Sequence, residues 1–534
     1  MAKAKCIKHN CSEIGKLVEV EPLTLESTPR CKKCGEDLIV EREKDIKKYL
    51  VSGVVALLLL GVGYRIYNGG GNDEVKVEPI TPAPPPIILV PKTIMNICGS
   101  NLINHDIMPK LAIEFLEERG YRDVHKELTD NEHKVLVIGT RGTKKEAIEI
   151  LSDGSWKGYA DLLAETCDLA TSYGEMNHTI ASKFDFEIKT EAYEDPFLLD
   201  AIAIVVHKNN PIKWLEPHQL RKVFSGEITD WSELTNGQKQ GKIVLYSMAE
   251  SSGVYHEFVK DLKPDSKRFS IASHKSFVKH EDLESQVALT PNAIGFVSNQ
   301  HTTSNVTVIK IKEGDSFVAP KPATILSEEY DFFDELYLYT QQRTRPLAKT
   351  FQAYLNRADV QKRIAKRTKF VAMNIVTKKE MDYMSQEVKK KRMQNKLVPD
   401  EYKWYMKELI QTPINFHFDT GKSHLDHEAY KHIVQLKDLL SKEGYENITI
   451  SLIGFSDGGR YRNMTNEEDR RAKISLSKRR AETVKFVLQD IFPNIKINIT
   501  GFGGNEHLLY APHADSKHER KLDRRVEVWL KVNS

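Results

Sequence analysis

From Leu50 to Tyr64 the chain reads LVSGVVALLLLGVGY, a run with no charged side chain. A helix that crosses a bilayer needs ~17–25 apolar residues. The run reaches that length once Tyr49, Arg65 and Tyr67 are counted at its edges, where rings and a long cationic stem sit well at the interface. Lys44, Lys47 and Lys48 precede it and a glycine- and proline-rich stretch follows, flanks unlike those of a core helix. A cleaved leader is also disfavoured, because a cysteine-bearing segment comes first. The basic excess ahead of the run predicts a cytoplasmic N-terminus, with everything after Asn68 outside the inner membrane.

That one segment organises the rest. Residues 1–41 form a small first unit, 48–67 the membrane helix, and 68–91 a linker (GGGNDEVKVEPITPAPPPIILVP from Gly69 to Pro91), flexible at its glycines and stiffer at its prolines. A mixed α/β region follows over 92–376, a helical spacer over 377–411 and a last domain over 412–534. With 78 basic and 75 acidic side chains the chain is close to neutral, which speaks against a nucleic-acid binder.

Four of the six cysteines fall in the first unit. Cys6 and Cys11 make one pair, and Cys31 and Cys34, in CKKCGEDL, make another. Four thiolates in two pairs suit tetrahedral Zn²⁺, and a reducing cytosol keeps them available. The pattern resembles a zinc ribbon, although the first pair is spaced CxxxxC, which leaves His9 as an alternative ligand to Cys11. A unit this small has little core, so structural zinc is expected to supply most of its folding energy.

In the last domain INFHFD (Ile414–Asp419) alternates as a strand, and Leu425, Ala429, Ile433, Leu436 and Leu440 then share one helical face. ITISLIGFSD, SLSKRRAETVKFVL, INITGFG and RRVEVWLKV continue as strand, helix, strand, strand. Ala481, Val484 and Leu488 define the buried side of the second helix, and Arg480 turns the same way. An inward guanidinium needs an anion, and Asp457, at the mouth of the neighbouring strand, is the nearest candidate. Such a pair can hold a zwitterion, Asp taking the ammonium and Arg the carboxylate. Together GFSD, LSKRRAETV, ITGFGGNE and DRRVEVWL resemble the OmpA-like peptidoglycan-binding domain over Ile414–Val532. The resemblance implies a grip on the diaminopimelate of the stem peptide by Asp457 and Arg480, with Ser456 beside them. It departs from the family in a longer loop between those residues and in Lys473, where asparagine is usual.

In the middle region, IMNICGS leads from a strand into a helix with Met108, Leu111, Ala112 and Phe115 inward. VLVIGTRGTKKEAIEIL reads as strand, loop and helix, with Thr143 and Glu146 as a capping box. DLATS is another strand. Hydroxyls and glycines thus collect where strands end and helices begin, positions that bind anions readily. AIAIVVHKNNPI, LRKVFSGEITDWSEL, AESSGVYHEF and NAIGFVSN resemble the phosphate-binding (PstS-like) branch of periplasmic solute-binding proteins, two lobes closing on a small ligand. The resemblance implies binding loops at Gly99, Ser100 and Asn101, at Gly139, Thr140, Arg141, Gly142 and Thr143, at Ser172, and at Ser251, Ser252 and Gly253. Relatives carry Arg before an SGT turn; here Met248 and SGV stand instead, so one cation and one hydroxyl are missing, and Arg141 is the candidate replacement. Phosphate or a similar oxyanion, another small solute, and a pocket reused as a scaffold all remain open. Simple N-capping competes with ligation at Ser100, Thr143 and Ser252. Cys98 and Cys167 are expected to be buried thiols, their strand offset being too large for a bridge.

The expected protein is therefore a multidomain α/β envelope protein that binds peptidoglycan and a small anion, as tether or sensor, with an unidentified cytosolic or membrane partner. The alternative is a component of an envelope motor or multiprotein complex that uses the two-lobed domain as a scaffold. The uncharged helix argues against an ion-carrying motor subunit. No nucleophile–base set or P-loop is visible, so an enzyme is not expected.

Overall fold

The structure, a computed structural model, describes residues 2–5, 17–20 and 39–41 and then residues 91–533, apart from 191, 263–268, 314–315, 395, 397, 426–428, 443–444, 446, 460–463 and 506–522. The chain divides into two units, Met1–Ile87 and Ile88–Ser534. In the first unit β1 (Ala2–Lys5) is the centre of a small antiparallel sheet between β2 (Leu17–Val20) and β3 (Ile39–Glu41). Cys6, Cys11, Cys31, Cys34 and the apolar segment 48–67 lie outside the described residues. Among the described residues no helix is long and apolar enough to cross a membrane.

The second unit opens with β4 (Lys92–Gly99), β5 (Arg122–Leu128), β6 (Lys134–Arg141), β7 (Lys144–Leu151) and β8 (Leu169–Tyr173), which form a first lobe. A long strand, β9 (Glu194–His207), leads to a second lobe: β10 (Trp214–Leu215), β11 (Val244–Met248), β12 (Lys275–Phe277), β13 (Ala293–Ser298), β14 (Val306–Val308), β15 (Lys310–Glu313) and β16 (Ser316–Val318). The chain returns along β17 (Phe333–Tyr339), and β18 (Val371–Ala372) lies on β9. The principal sheet runs β12-β11-β13-β9-β17-β8-β4-β7-β6-β5. β9 belongs to both lobes: Glu194–Ala201 pairs with β17, while Ile202–Val206 pairs with β13. Its sequence, EDPFLLDAIAIVVH, is buried almost throughout, as a strand covered on both faces requires. The helix Met108–Glu118 packs Met108, Leu111, Ala112 and Phe115 inward, as their spacing predicts.

Two expectations are corrected here. VLVIGTRGTKKEAIEIL is a strand–turn–strand, β6 and β7 pairing antiparallel from Lys134↔Leu151 to Arg141↔Lys144. A two-residue loop with Gly142 at φ +63° closes a tight hairpin, and that turn overrides the helical spacing. Cys98 and Cys167 form a disulfide, with Cα atoms 6.1 Å apart. Cys98 pairs in register with Ala170; Cys167 stands before β8 begins, so the offset does not separate the sulfurs. The bridge closes a sequence separation of 69 residues. Reduction is expected to lower stability by about 2–4 kcal/mol, read as a lower Tm of the protein in a reducing agent and in Cys98→Ala.

The C-terminal sheet contains β19 (Ile410–His417), β20 (Ile448–Gly454), β21 (Lys496–Gly501) and β22 (Arg525–Val532) in the order β19-β22-β20-β21. One face carries the helices Ala429–Leu440 and Asn466–Ile491. The second helix starts at a Thr465/Glu468 capping box, so much of what reads as a long loop is helical. The other face of the sheet is covered by the helix Asp400–Glu408, whose Tyr402 and Met406 pack with Val398, Leu409, Ile453, Phe455 and Trp529. The 377–411 stretch is therefore not a free spacer, because its last helix completes the domain core.

Candidate functional sites

At the end of β4 the backbone turns sharply at Gly99 (φ +119°). A Cβ there would stand 2.1 Å from the Thr171 carbonyl oxygen, so only glycine fits. Ser100 is buried and donates its N–H to that same carbonyl (3.0 Å). The end of β7 runs through Ser152, Asp153 and Gly154 into the helix Ser155–Leu163, and Gly154 N–H donates to the Gly99 carbonyl (2.9 Å). Ser155 Oγ accepts from Tyr173 N–H (3.1 Å) at the end of β8. Ser172, fully buried, donates to the Gly174 carbonyl (2.9 Å) and meets the Tyr159 hydroxyl.

The second lobe closes onto these loops. Gly154 faces the Ser251 carbonyl, and a Cβ on Gly253 would lie 2.6 Å from Tyr173 Cβ and 3.2 Å from Ser155 Oγ. Trp156 meets His256 edge-on with ring centroids 5.7 Å apart. Ser100, Ser172, Ser251, Ser252 and Gly253 are thus brought together at the lobe junction, with Asn101 at the entry of its short helix.

Thr140, Arg141, Gly142 and Thr143 are not. β7 runs parallel to β4 with Lys92↔Glu146 at one end and Ile97↔Ile150 at the other, so the hairpin turn sits beside the beginning of β4. Roughly 20 Å of strand separates it from Gly99, at about 3.3 Å per residue. Arg141 instead stacks over Tyr121 (5.7 Å). The loop that occupies the expected position is Ser152–Ser155, legible in LSDGSWKGY as small residues before a helix.

No arginine replaces the missing one in these loops. Met248 is buried at the end of β11. The neighbourhood of Tyr173 is acidic: burial first, then Asp200, Asp334, Glu257 and Asp261, push the phenol well above its usual range. Burial also raises Asp200 to about 7, against Ser298, His301 and Tyr173, which favour its ionised form.

A polar bridge joins the lobes nearby. His301 Nε2 lies 2.6 Å from Asp106 Oδ2 of the first lobe, and Nδ1 lies 3.1 Å from Glu281 Oε1 of the second. His280 stacks on the same imidazole, with centroids 4.9 Å apart. Burial opposes charge on His301, but the two carboxylates win and raise it to about 9. The hydrogen bond from His301 brings Glu281 down to about 2, and burial followed by the charge of His301 brings His280 to about 3. A histidine raised from 6.5 stabilises fully below that value and loses the contribution as pH rises through about 9. A glutamate lowered from 4.5 contributes above that value and loses it as pH falls towards about 2. Wild type is therefore expected to lose more Tm than His301→Gln between pH 7 and pH 10 in thermal unfolding; equal losses would remove the bridge from this account.

In the C-terminal domain Asp457 follows β20, and its Oδ2 is 3.1 Å from Arg524 NH1. Its Oδ1 accepts from Gly459 N–H (3.2 Å). Arg524 is the partner that sequence reasoning missed, although DRRVEVWL shows it just ahead of the strand. Arg480 is fully buried, and its donors go to carbonyls: Nε to Lys422 (2.9 Å), NH1 to Phe455 (2.8 Å) and NH2 to Asp419 (3.1 Å). It fastens the 419–422 turn to the mouth of β20 rather than pairing with Asp457. Ser456 Oγ is buried without a hydrogen-bond partner, beside these groups. Lys473, where asparagine was expected, pairs with Asp469 (2.8 Å) and donates to the Gly458 carbonyl (3.3 Å), holding the loop after Asp457.

Two lobes on a shared strand, with Ser/Gly loops meeting at their junction, define a solute-binding-protein fold, joined here to a second α/β domain. Residues 140–358 match the PBP superfamily domain and residues 417–521 the OmpA family. Over 218 residues the chain is 30% identical to the phosphate-binding protein PstS of Bacillus subtilis, covering 41% of this chain and 68% of that one. PstS of Pseudomonas aeruginosa is 24% identical over 208 residues, covering 36% of this chain and 64% of that one. A solved phosphate ABC transporter substrate-binding protein from Clostridium perfringens, with bound phosphate, is 20% identical with a TM-score of 0.42, covering 53% of this chain and 99% of that one. Through its two-lobed region the chain belongs to the PstS phosphate-binding-protein family.

Proposed function

We propose that this is a wall-attached solute-binding protein of the bacterial envelope, not an enzyme. Its C-terminal domain would bind peptidoglycan at Asp457, with Ser456, Arg480 and Arg524 shaping the site. Its two-lobed domain would take a small phosphate-like oxyanion. The observation that carries the second part is the convergence of Ser100, Gly154–Ser155, Ser172 and Ser251–Gly253 at the lobe junction, where hydroxyls and the first N–H groups of the helices Ser155–Leu163 and Gly253–Leu262 meet. Anchoring by segment 48–67, with a cytoplasmic zinc unit at Cys6, Cys11, Cys31 and Cys34, belongs to the same reading. The Cys98–Cys167 bridge supports an oxidising compartment for the rest of the chain.

A second reading, a two-lobed scaffold within a larger envelope assembly, is favoured by buried Met248 and the carboxylates around Tyr173. Calorimetric titration with phosphate and a panel of oxyanions separates the two. The first reading expects micromolar binding that falls at least tenfold in Ser155→Ala and is unchanged in Arg141→Ala. Heatless titrations across the panel would leave the scaffold.

A further inference from the structure

The C-terminal domain touches the two-lobed domain at two buried polar clasps, and both lie on the hinge. The first is Asp195, near the start of β9 where that strand pairs with β17 at Leu338, beside the first lobe. Lys431 of the helix Ala429–Leu440 brings its ammonium to 2.6 Å from Asp195 Oδ1, and the Tyr430 hydroxyl donates to the same oxygen (2.8 Å). Asn356 and Gln352 donate to Oδ2 (2.5 and 3.1 Å), and Lys431 also donates to Asn356 Oδ1 (2.6 Å). The Lys431 and Asp195 side chains are only 3% and 6% exposed.

The second clasp is Glu328, in the segment that leads into β17 beside the point where β9 enters the second lobe. Two residues later the Tyr330 hydroxyl donates to the Ile202 carbonyl, where β9 has passed to β13. The Glu328 backbone is held at φ +60°, in the left-handed region uncommon for a side chain of this kind. His417 Nε2 of β19 is 2.5 Å from Oε1, and Asn415 donates to Oε2 (3.1 Å). Burial opposes ionisation of Glu328, and His417, with Arg525 and His432 behind it, more than compensates, leaving its carboxyl below the usual range.

A charge taken out of water is costly unless it keeps its partners. Separating the domains therefore means solvating Lys431 and stripping Asp195 and Glu328 of part of their shells. Because one clasp sits at the first-lobe end of β9 and the other beside the point near Ile202 where β9 passes to the second lobe, a rotation that opens the lobes must shear one of them. We infer that the C-terminal domain braces the hinge and holds the two lobes closed, so that docking of the wall-binding domain and opening of the solute cleft oppose each other. By linkage, whatever favours the docked arrangement favours the closed lobes to the same extent.

Hydrogen–deuterium exchange on the full chain, without added solute, tests this. The readout is protection at the two lips of the cleft, peptides containing Gly154–Trp156 and Ser252–His256. Lys431→Met with Glu328→Gln is expected to raise exchange there at least tenfold while leaving sedimentation with peptidoglycan sacculi intact, which shows that the C-terminal domain is folded. Unchanged lips in a folded double variant would overturn the brace. Should the double variant not fold, Tyr430→Phe, which removes one hydrogen bond to Asp195, decides: lip exchange rising several-fold supports the brace, and wild-type lip protection refutes it.

Discussion

Glu527→Ala is expected to destabilise the C-terminal domain by about 3–5 kcal/mol, the range for breaking a buried ion pair by removing one partner. Glu527 and Arg525 are both fully buried on the face of β22 turned towards the helix Asp400–Glu408. Arg525 donates to Glu527 Oε1 through NH2 (2.7 Å) and Nε (3.0 Å). The other carboxylate oxygen accepts from the Tyr402 hydroxyl (2.8 Å) and Trp529 Nε1 (3.0 Å). Truncation takes the carboxylate from all of them at once. Asp523 lies farther off, 3.9 Å from Arg525 NH1, and the Phe455 ring (4.2 Å) covers the guanidinium. Replacing both charges, Arg525→Met with Glu527→Leu, is expected to cost less, because neither member of this pair is then left without the other. Urea unfolding followed by exchange protection of β22 measures both. A single variant no worse than the double would mean that the pair contributes packing and little else.

This network also shows where sequence reading ran out. In RRVEVWLKV alternation places Val526, Val528 and Leu530 on one face of a strand, and those residues are buried as expected. The same alternation sends Arg525, Glu527 and Trp529 to the other face, which reads as solvent when the helix that covers it is taken for a spacer. Period-two patterning tells which residues share a face, not whether that face is wet. The same limit applies to VLVIGTRGTKKEAIEIL: a short apolar run after a Gly-Thr pair suits a helix or a hairpin, and the left-handed glycine decides. Loop positions fixed by local chemistry were legible. Gly99–Ser100, Ser172 and Ser251–Gly253 meet at one junction because each lies at or just past the end of a strand of the same sheet. The partners of Asp457, Arg480 and Cys98 were not, since they depend on registers between distant strands. The clasp at Asp195 had no signal at all in the sequence, being made by residues of two domains.

Asp457→Ala is expected to remove binding to peptidoglycan while leaving the fold in place. Asp457 retains some exposure, with its side chain 18% accessible against 4% for Arg524 behind it. A ligand ammonium can therefore reach the carboxylate from outside while Arg524 fixes its orientation. Losing one partner of a hydrogen-bonded charge pair at an interface costs about 2–5 kcal/mol, roughly 30- to 3000-fold in affinity at 1.4 kcal/mol per tenfold. Arg480→Ala should behave differently. Its guanidinium ties the Asp419 and Lys422 carbonyls to the buried Phe455 carbonyl, so its removal strips all three of this donor and is expected to lower the Tm as well as the affinity. Sedimentation with purified sacculi, run beside thermal unfolding for both variants, separates the roles. Asp457→Ala should fail to sediment with only a modest drop in Tm, from the loss of the Arg524 counterion, whereas Arg480→Ala should show the larger drop in Tm. Wild-type sedimentation by Asp457→Ala would place the ammonium elsewhere in the domain and leave Asp457 as the counterion of Arg524 alone.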